Sequence, residues 1–255
     1  MSWSGDRWHT GSVRAASPVS RNAWQRHPPK SISRRPQLRQ GSGIQSVPRK
    51  RWKSGDSAQI HASESLRTFK RGRGSTCAAG QGRASHYVSL TRLLTDGEVT
   101  VGGIRNRVTG TSWMDHEFFT NQLSEDQAGW DWFSIQLENG ADLMLYRLRR
   151  KDGSIEPLSH GTYIDNKGFS RELSLSEFRM TPGRRRYNSY PIEWTIEVPT
   201  LDIALEATTP MEDQELVTTN KISPSYWEGA IRLKGKPSNG VGYLEMTGYR
   251  EAVSF

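Results

Sequence analysis

The sequence predicts an all-β fold, an antiparallel β-barrel preceded by a disordered basic segment. Three observations carry that prediction. From His86 onward, short runs of alternating or continuous apolar residues recur about every 10–15 positions, with turn residues between them. No stretch keeps a 3.6-residue apolar period for more than a turn or two. The first 85 residues differ abruptly in composition from everything that follows.

That division is one of charge and of apolar content. The formal net charge is +8, but residues 1–85 hold 17 Lys and Arg against 3 Asp and Glu, whereas residues 86–255 hold 18 against 24. Val, Ile, Leu, Met and Phe number 10 in the first part and 44 in the second. Only the second part has the apolar residues to build a core. The boundary between the two is placed at residues 81 and 82.

Residues 1–81 are rich in Arg, Ser, Gly and Pro, with Trp3, Trp8, Trp24 and Trp52 scattered among them. Such a segment is expected to be disordered. It could neutralise phosphates and stack on bases, or serve as an organelle transit peptide. The favoured expectation is a third one, a misassigned start or shifted reading frame, because nothing in the segment anticipates the domain behind it. No nucleic-acid partner is therefore expected. The single Cys77 excludes an internal disulfide. No apolar run is long enough for a transmembrane helix, and the N-terminus lacks the apolar core of a secretory signal.

The elements follow in order. His86–Leu94 reads as a strand, and Glu98–Val101 and Ile104–Val108 as a hairpin turning at Gly102-Gly103. The next stretch organises the domain. Trp113-Met-Asp-His-Glu117 leads into Gly129-Trp-Asp-Trp-Phe-Ser-Ile-Gln-Leu137, which turns at Asn139-Gly140 and returns as Leu143-Met-Leu-Tyr-Arg-Leu-Arg149. Strand alternation puts Trp130 and Trp132 on one face, and Asp131, Phe133, Ile135 and Leu137 on the other. Both faces are mostly apolar, so this hairpin should be packed on both sides.

Turns at Lys151–Ser154 and Asp165–Gly168 bracket a strand at Gly161–Ile164. Leu173 to Met180 alternates over eight positions and is expected to be one strand. Arg184-Arg185-Arg186 reads as a solvated loop. Tyr190–Pro199, Leu201–Ala207, Glu215–Thr219, Tyr226–Leu233 and Gly242–Tyr249 complete the set. A barrel of about eight strands can enclose one small ligand.

Trp113, Trp130 and Trp132 beside Asp115-His116-Glu117 suit an apolar pocket with a few groups to orient a ligand or move a proton. The alternative is that the tryptophans are core and the charges lie at a strand end. Of Asp115 and His116, alternation allows one to face a pocket. His116 is favoured because imidazole titrates near neutral pH, which leaves Asp115 to bind backbone or cap a turn. A metal site from His116, Asp115, Glu117 and His160 is disfavoured, since adjacent strand residues point to opposite faces and no His-x-His spacing occurs. No Gly-x-Ser-x-Gly elbow is present for a serine hydrolase. Glu228 and Glu245, on the last two strands, either line the barrel or face water.

Six strings together resemble the AttH-like proteins. They are Ser112-Trp-Met-Asp-His-Glu-Phe118, Gly129–Leu137, Leu143–Arg149, Asp213-Gln-Glu-Leu216, Tyr226-Trp-Glu-Gly-Ala230 and Gly242-Tyr-Leu-Glu-Met-Thr-Gly-Tyr249. His86-Tyr-Val-Ser-Leu-Thr-Arg-Leu93 is similar to the family's entry into this region. These proteins are grouped with the carotenoid 1,2-hydratases (hydroxyneurosporene synthases) and with predicted secreted hydrolases, which are often exported. The resemblance covers residues 82–255 and implies lipocalin-like β domains in tandem, of which this chain holds the end of the first and most of the second.

It also implies hydration or cyclisation of an apolar isoprenoid, polyene or polyketide-like molecule by an acid, with no metal or organic cofactor. Asp115, His116 and Tyr146 are the implied catalytic residues, and Trp113, Trp130, Trp132 and Trp227 the implied ligand lining. The hydratase branch pairs its histidine with Tyr-x-Asp, whereas Tyr146 here is followed two positions on by Leu148. That departure favours two other outcomes, a non-catalytic carrier of a hydrophobic molecule or an inactive truncated relic.

Overall fold

The computed structural model describes residues 57–65, 68–70, 75–76, 84–119, 123–217 and 225–250, and of 57–65, 68–70, 75–76, 84–86, 116, 118 and 119 the backbone alone. The strands are β1 (Ser57–Ser65), β2 (Thr68–Lys70), β3 (Ser75–Thr76), β4 (Ala84–Val101), β5 (Ile104–Phe119), β6 (Gln127–Leu137), β7 (Asp142–Arg150), β8 (His160–Ile164) and β9 (Ser170–Ser174). They continue with β10 (Arg179–Pro182), β11 (Arg186–Tyr187), β12 (Tyr190–Pro191), β13 (Glu193–Val198), β14 (Ile203–Thr208), β15 (Glu215–Leu216), β16 (Tyr226–Lys236) and β17 (Gly240–Thr247). Two 3₁₀ turns, Leu175–Glu177 and Pro199–Leu201, are the helical elements among the described residues. The fold is all-β and antiparallel, as the spacing of strand and turn signals predicts.

The larger sheet runs β10-β13-β14-β16-β17-β6-β7-β8-β9. Its two edge strands, β9 and β10, are consecutive in the chain and separated by four residues, 175–178. Four residues span at most about 14 Å, so the sheet must curl until its edges nearly meet. Leu173 of β9 and Met180 of β10 accordingly share one core with Phe133, Leu145, Trp194, Ile196, Leu205 and Leu244. The inside of the curl is lined by the side chains of this core.

The uninterrupted strand expected over Leu173–Met180 is corrected to strand, turn, strand. Ser174 and Glu177 form a capping box in which the Glu177 carboxylate accepts from the Ser174 backbone N–H. The Ser-x-x-Glu pattern competes with the alternation and wins. That break joins the two sheet edges.

A second sheet is built on the long strand β4, which pairs with β1, β2, β3 and β5. The β4–β5 hairpin turns at Gly102-Gly103, both with φ in the left-handed region, as expected. The expected basic segment lies largely outside the described residues, and within it β1, β2 and β3 supply backbone pairing to β4. The register of β4 and β5 slips by one residue between Leu90 and Leu93.

The β6–β7 hairpin turns at Asn139-Gly140. Leu137 and Ala141 close a three-residue connection, with Gly140 at φ 90° in its last position. Phe133, Ile135 and Leu137 face the filled core, and Trp130 and Trp132 belong to a separate cluster on the opposite face. The hairpin is therefore buried on both sides, because the β4–β5 hairpin lies across its outer face. A polar latch fixes that contact. Asp142, fully buried, accepts from Thr91 Oγ1 at 2.8 Å and from Arg92 Nη2 at 2.5 Å, and Gln136 Nε2 donates to the Thr91 carbonyl at 2.7 Å.

Candidate functional site

The outer face of the curled sheet carries a transverse row of paired residues. Backbone pairing links Glu228 to Glu245, Glu245 to Trp132, Trp132 to Tyr146, Tyr146 to His160 and His160 to Ser174. Directly opposed residues of antiparallel strands share a face, so these six side chains stand on one side across six strands. The β4–β5 hairpin covers part of that row. Its Trp113 meets Trp132 edge-on, with ring centroids 6.3 Å apart. Leu123, Trp130, Met144, Leu148, Ile164 and Tyr243 complete the apolar cluster, with Tyr87 and Tyr146 at its margin.

Two carboxyl groups border these rings, one from each sheet. Asp115 of β5 is 3% exposed, and its Oδ1 accepts from Trp113 Nε1 at 2.8 Å and from the Ser89 hydroxyl. Glu245 of β17 is also 3% exposed, and its Oε1 accepts from Trp130 Nε1 at 2.8 Å. In each case an indole N–H supplies the hydrogen bond that a buried carboxyl requires. Burial raises the Tyr87 phenol well above the usual tyrosine value, and the charges of Asp115 and then Glu117 add to the effect. Burial does the same to Tyr243, helped by Glu228 and Glu245.

At the other end of the row, Tyr146 and His160 lie with ring centroids 5.6 Å apart. His160 Nδ1 is 3.1 Å from the Leu158 carbonyl oxygen. A carbonyl can only accept, so Nδ1 carries the hydrogen in this contact.

The structure brings together Trp113, Trp130, Trp132, Asp115 and Tyr146 from the sequence-predicted set. Trp227 is separated from them. It is buried in the core on the other face, and its Nε1 donates to the Glu212 carbonyl at 2.8 Å. His116 pairs with Val88 through its backbone, and its side chain lies outside the described residues. Asp115 shares a face with Trp113, and its carboxyl group accepts from the side chains of Trp113 and Ser89. Asp115 thus lies beside the tryptophans, and the expectation that favoured His116 falls on a side chain outside the described residues. Leu148 is fully buried opposite Trp130.

Sequence reasoning gave Ser89 and Tyr87 no role, named His160 only for a disfavoured metal site, and left Glu245 between lining the barrel and facing water. Counting pairs outward from Val101 and Ile104 would have brought Ser89 near the acidic run, and pairing Tyr146 across β7–β8 would have found His160. Among the described residues no group of three or more His, Cys, Asp or Glu side chains could hold a metal ion. No helix among them is long and apolar enough to cross a membrane.

A model of the AttH-like family matches residues 46–249. Among solved structures, the fold is similar to a Nitrosomonas europaea protein described as an AttH, with a TM-score of 0.68 and 29% identity over 76% of this chain and 62% of that one. It is also similar to kievitone hydratase from Nectria haematococca, with a TM-score of 0.59 and 18% identity over 78% of this chain and 63% of that one. The chain thus spans less than two thirds of the length of either. No curated protein matches it.

Proposed function

The chain belongs to the AttH-like family, and on that premise we propose that its hairpin–sheet interface adds water to an apolar isoprenoid or polyene by acid catalysis. The observation that supports this most is Asp115, a buried carboxyl bonded to one indole of an edge-on tryptophan pair. Protonating a trisubstituted alkene produces a tertiary cation, which aromatic faces stabilise by cation–π attraction. A nearby carboxyl group can then take the proton that water releases as it captures the cation. Trp113, Trp130 and Trp132 supply the aromatic lining, and Tyr146 orients the incoming water. A fold shared with a protein named kievitone hydratase agrees with addition of water as the reaction class.

Carotenoid 1,2-hydratase-like specificity is the finer form of this proposal. Leu148 stands where that branch has an aspartate, so the proton chemistry must come from other residues, and Asp115 on the covering hairpin is the one assigned. Leu148 also favours a second reading, a carrier that binds such molecules without converting them.

The test uses the full chain with detergent-dispersed squalene, geranylgeraniol and lycopene in water enriched in oxygen-18. Binding is followed by tryptophan fluorescence and turnover by mass spectrometry. Hydration adds one labelled oxygen to the substrate, and Asp115→Asn removes this while quenching persists. Quenching without label establishes the carrier instead. Neither quenching nor label refutes both and leaves an inactive relic.

A further inference from the structure

Resting on the hydration reading, we propose that Glu245 is the second catalytic carboxyl, the group that delivers the proton while Asp115 receives the one released by water. Glu245 is 3% exposed yet lies beside Trp132 on the row that the hairpin covers. Its Oε1 is held by the Trp130 indole at 2.8 Å, so the carboxyl is aimed rather than mobile. Trp130 itself belongs to the apolar cluster that contains the Trp113–Trp132 pair. Glu245 and Asp115 therefore approach one aromatic group from opposite sheets.

Each carboxyl group is held by its surroundings. Asp115 Oδ1 accepts from two donors, Trp113 and Ser89, which fix its carboxyl group beside the rings. Glu245 faces Glu228 directly across the β16–β17 pair. Glu228 and Glu245 therefore stand side by side on the outer face. Tyr243 and Trp130 border the pair, so Glu245 is presented on an apolar, aromatic side.

The reaction then balances. The Glu245 O–H proton forms a C–H bond at the less substituted alkene carbon, using the π electron pair and leaving a tertiary cation. Water oxygen forms the C–O bond to that cation, and the released proton passes to Asp115. One water has been added across the double bond, and the carboxyl protons re-equilibrate through solvent.

Glu245→Gln in the full chain keeps the size and the Trp130 contact but cannot donate an acidic proton. We expect squalene quenching within about twofold of the parent and oxygen-18 incorporation slower by about 100-fold or more. Glu245→Asp should restore part of the rate with an altered pH profile, which a purely structural residue would not do. If Glu245→Gln fails to fold, Glu245→Asp decides alone, and a rate and pH profile unchanged from the parent overturn the role of Glu245. Incorporation within about threefold of the parent in Glu245→Gln, with Asp115→Asn inactive, overturns the role of Glu245 and leaves the hydration reading standing. A parent chain that labels none of the three alkenes overturns the reading, and this inference with it.

Discussion

Trp130 on β6 donates its indole N–H to Glu245 on β17 at 2.8 Å, across 115 residues of sequence. The contact turns the outer face of a packed sheet into a surface with a fixed acidic group. Removing the donor leaves a buried carboxyl short of a partner, which typically costs about 1–3 kcal/mol. Trp130→Phe should lower the urea midpoint accordingly, and a companion Glu245→Leu should recover part of the loss. A double variant no more stable than Trp130→Phe would show that the hydrogen bond does not set the cost.

Trp132 is 6% exposed and joins the row to the covering hairpin through Trp113. Trp132→Ala should cost about 3–5 kcal/mol if the ring acts purely as core. A smaller loss together with abolished squalene quenching would identify it as lining. A loss under about 1 kcal/mol with binding intact would contradict both roles.

Asp142 should govern how firmly the hairpin is seated. It accepts from Thr91 and Arg92 while fully buried, and Arg92 also reaches the carbonyls of Leu137 and Ala141. Asp142→Ala removes one partner of a buried ion pair, a change that costs about 3–5 kcal/mol. Amide exchange in β4 and β5 should accelerate more than exchange in β13 and β14. Equal acceleration throughout would mean that the latch supports global stability only.

Alkaline stability should fall above the ordinary tyrosine range. Tyr87 and Tyr243 have folded pKa values raised by burial, so above about pH 10 the unfolded chain releases protons that the folded chain retains. Their contribution is fully present below pH 10 and is lost as pH rises toward the folded values. The urea midpoint should therefore hold from pH 8 to about 9.5 and drop beyond it, with a shallower drop in Tyr87→Phe. An unchanged slope in that variant would remove Tyr87 from the account.

Much of the fold is legible in the residues. Gly102-Gly103 and Asn139-Gly140 announce their hairpins because few residues other than glycine accept a positive φ. The unbroken apolar character of both faces of β6 correctly signals a strand covered on both sides. The Ser174-x-x-Glu177 turn was hidden under an alternating pattern, since a capping box and a strand can be written in the same residues.

The sequence by itself determined the antiparallel all-β class, the positions of the main turns and the face that holds Trp130 and Trp132. These follow from local sterics and from the two-residue period of a strand. Only the tertiary structure decided which groups meet. Counted outward from the Gly102-Gly103 turn without interruption, Ser89 would stand opposite His116. The one-residue slip between Leu90 and Leu93 places it opposite Asp115 instead. Trp227 looks equivalent to the other tryptophans in sequence, yet its strand turns it into the core on the far face. A bulge and a strand's register are settled by how two sheets pack, and a one-residue change in either exchanges the side chains that share a face.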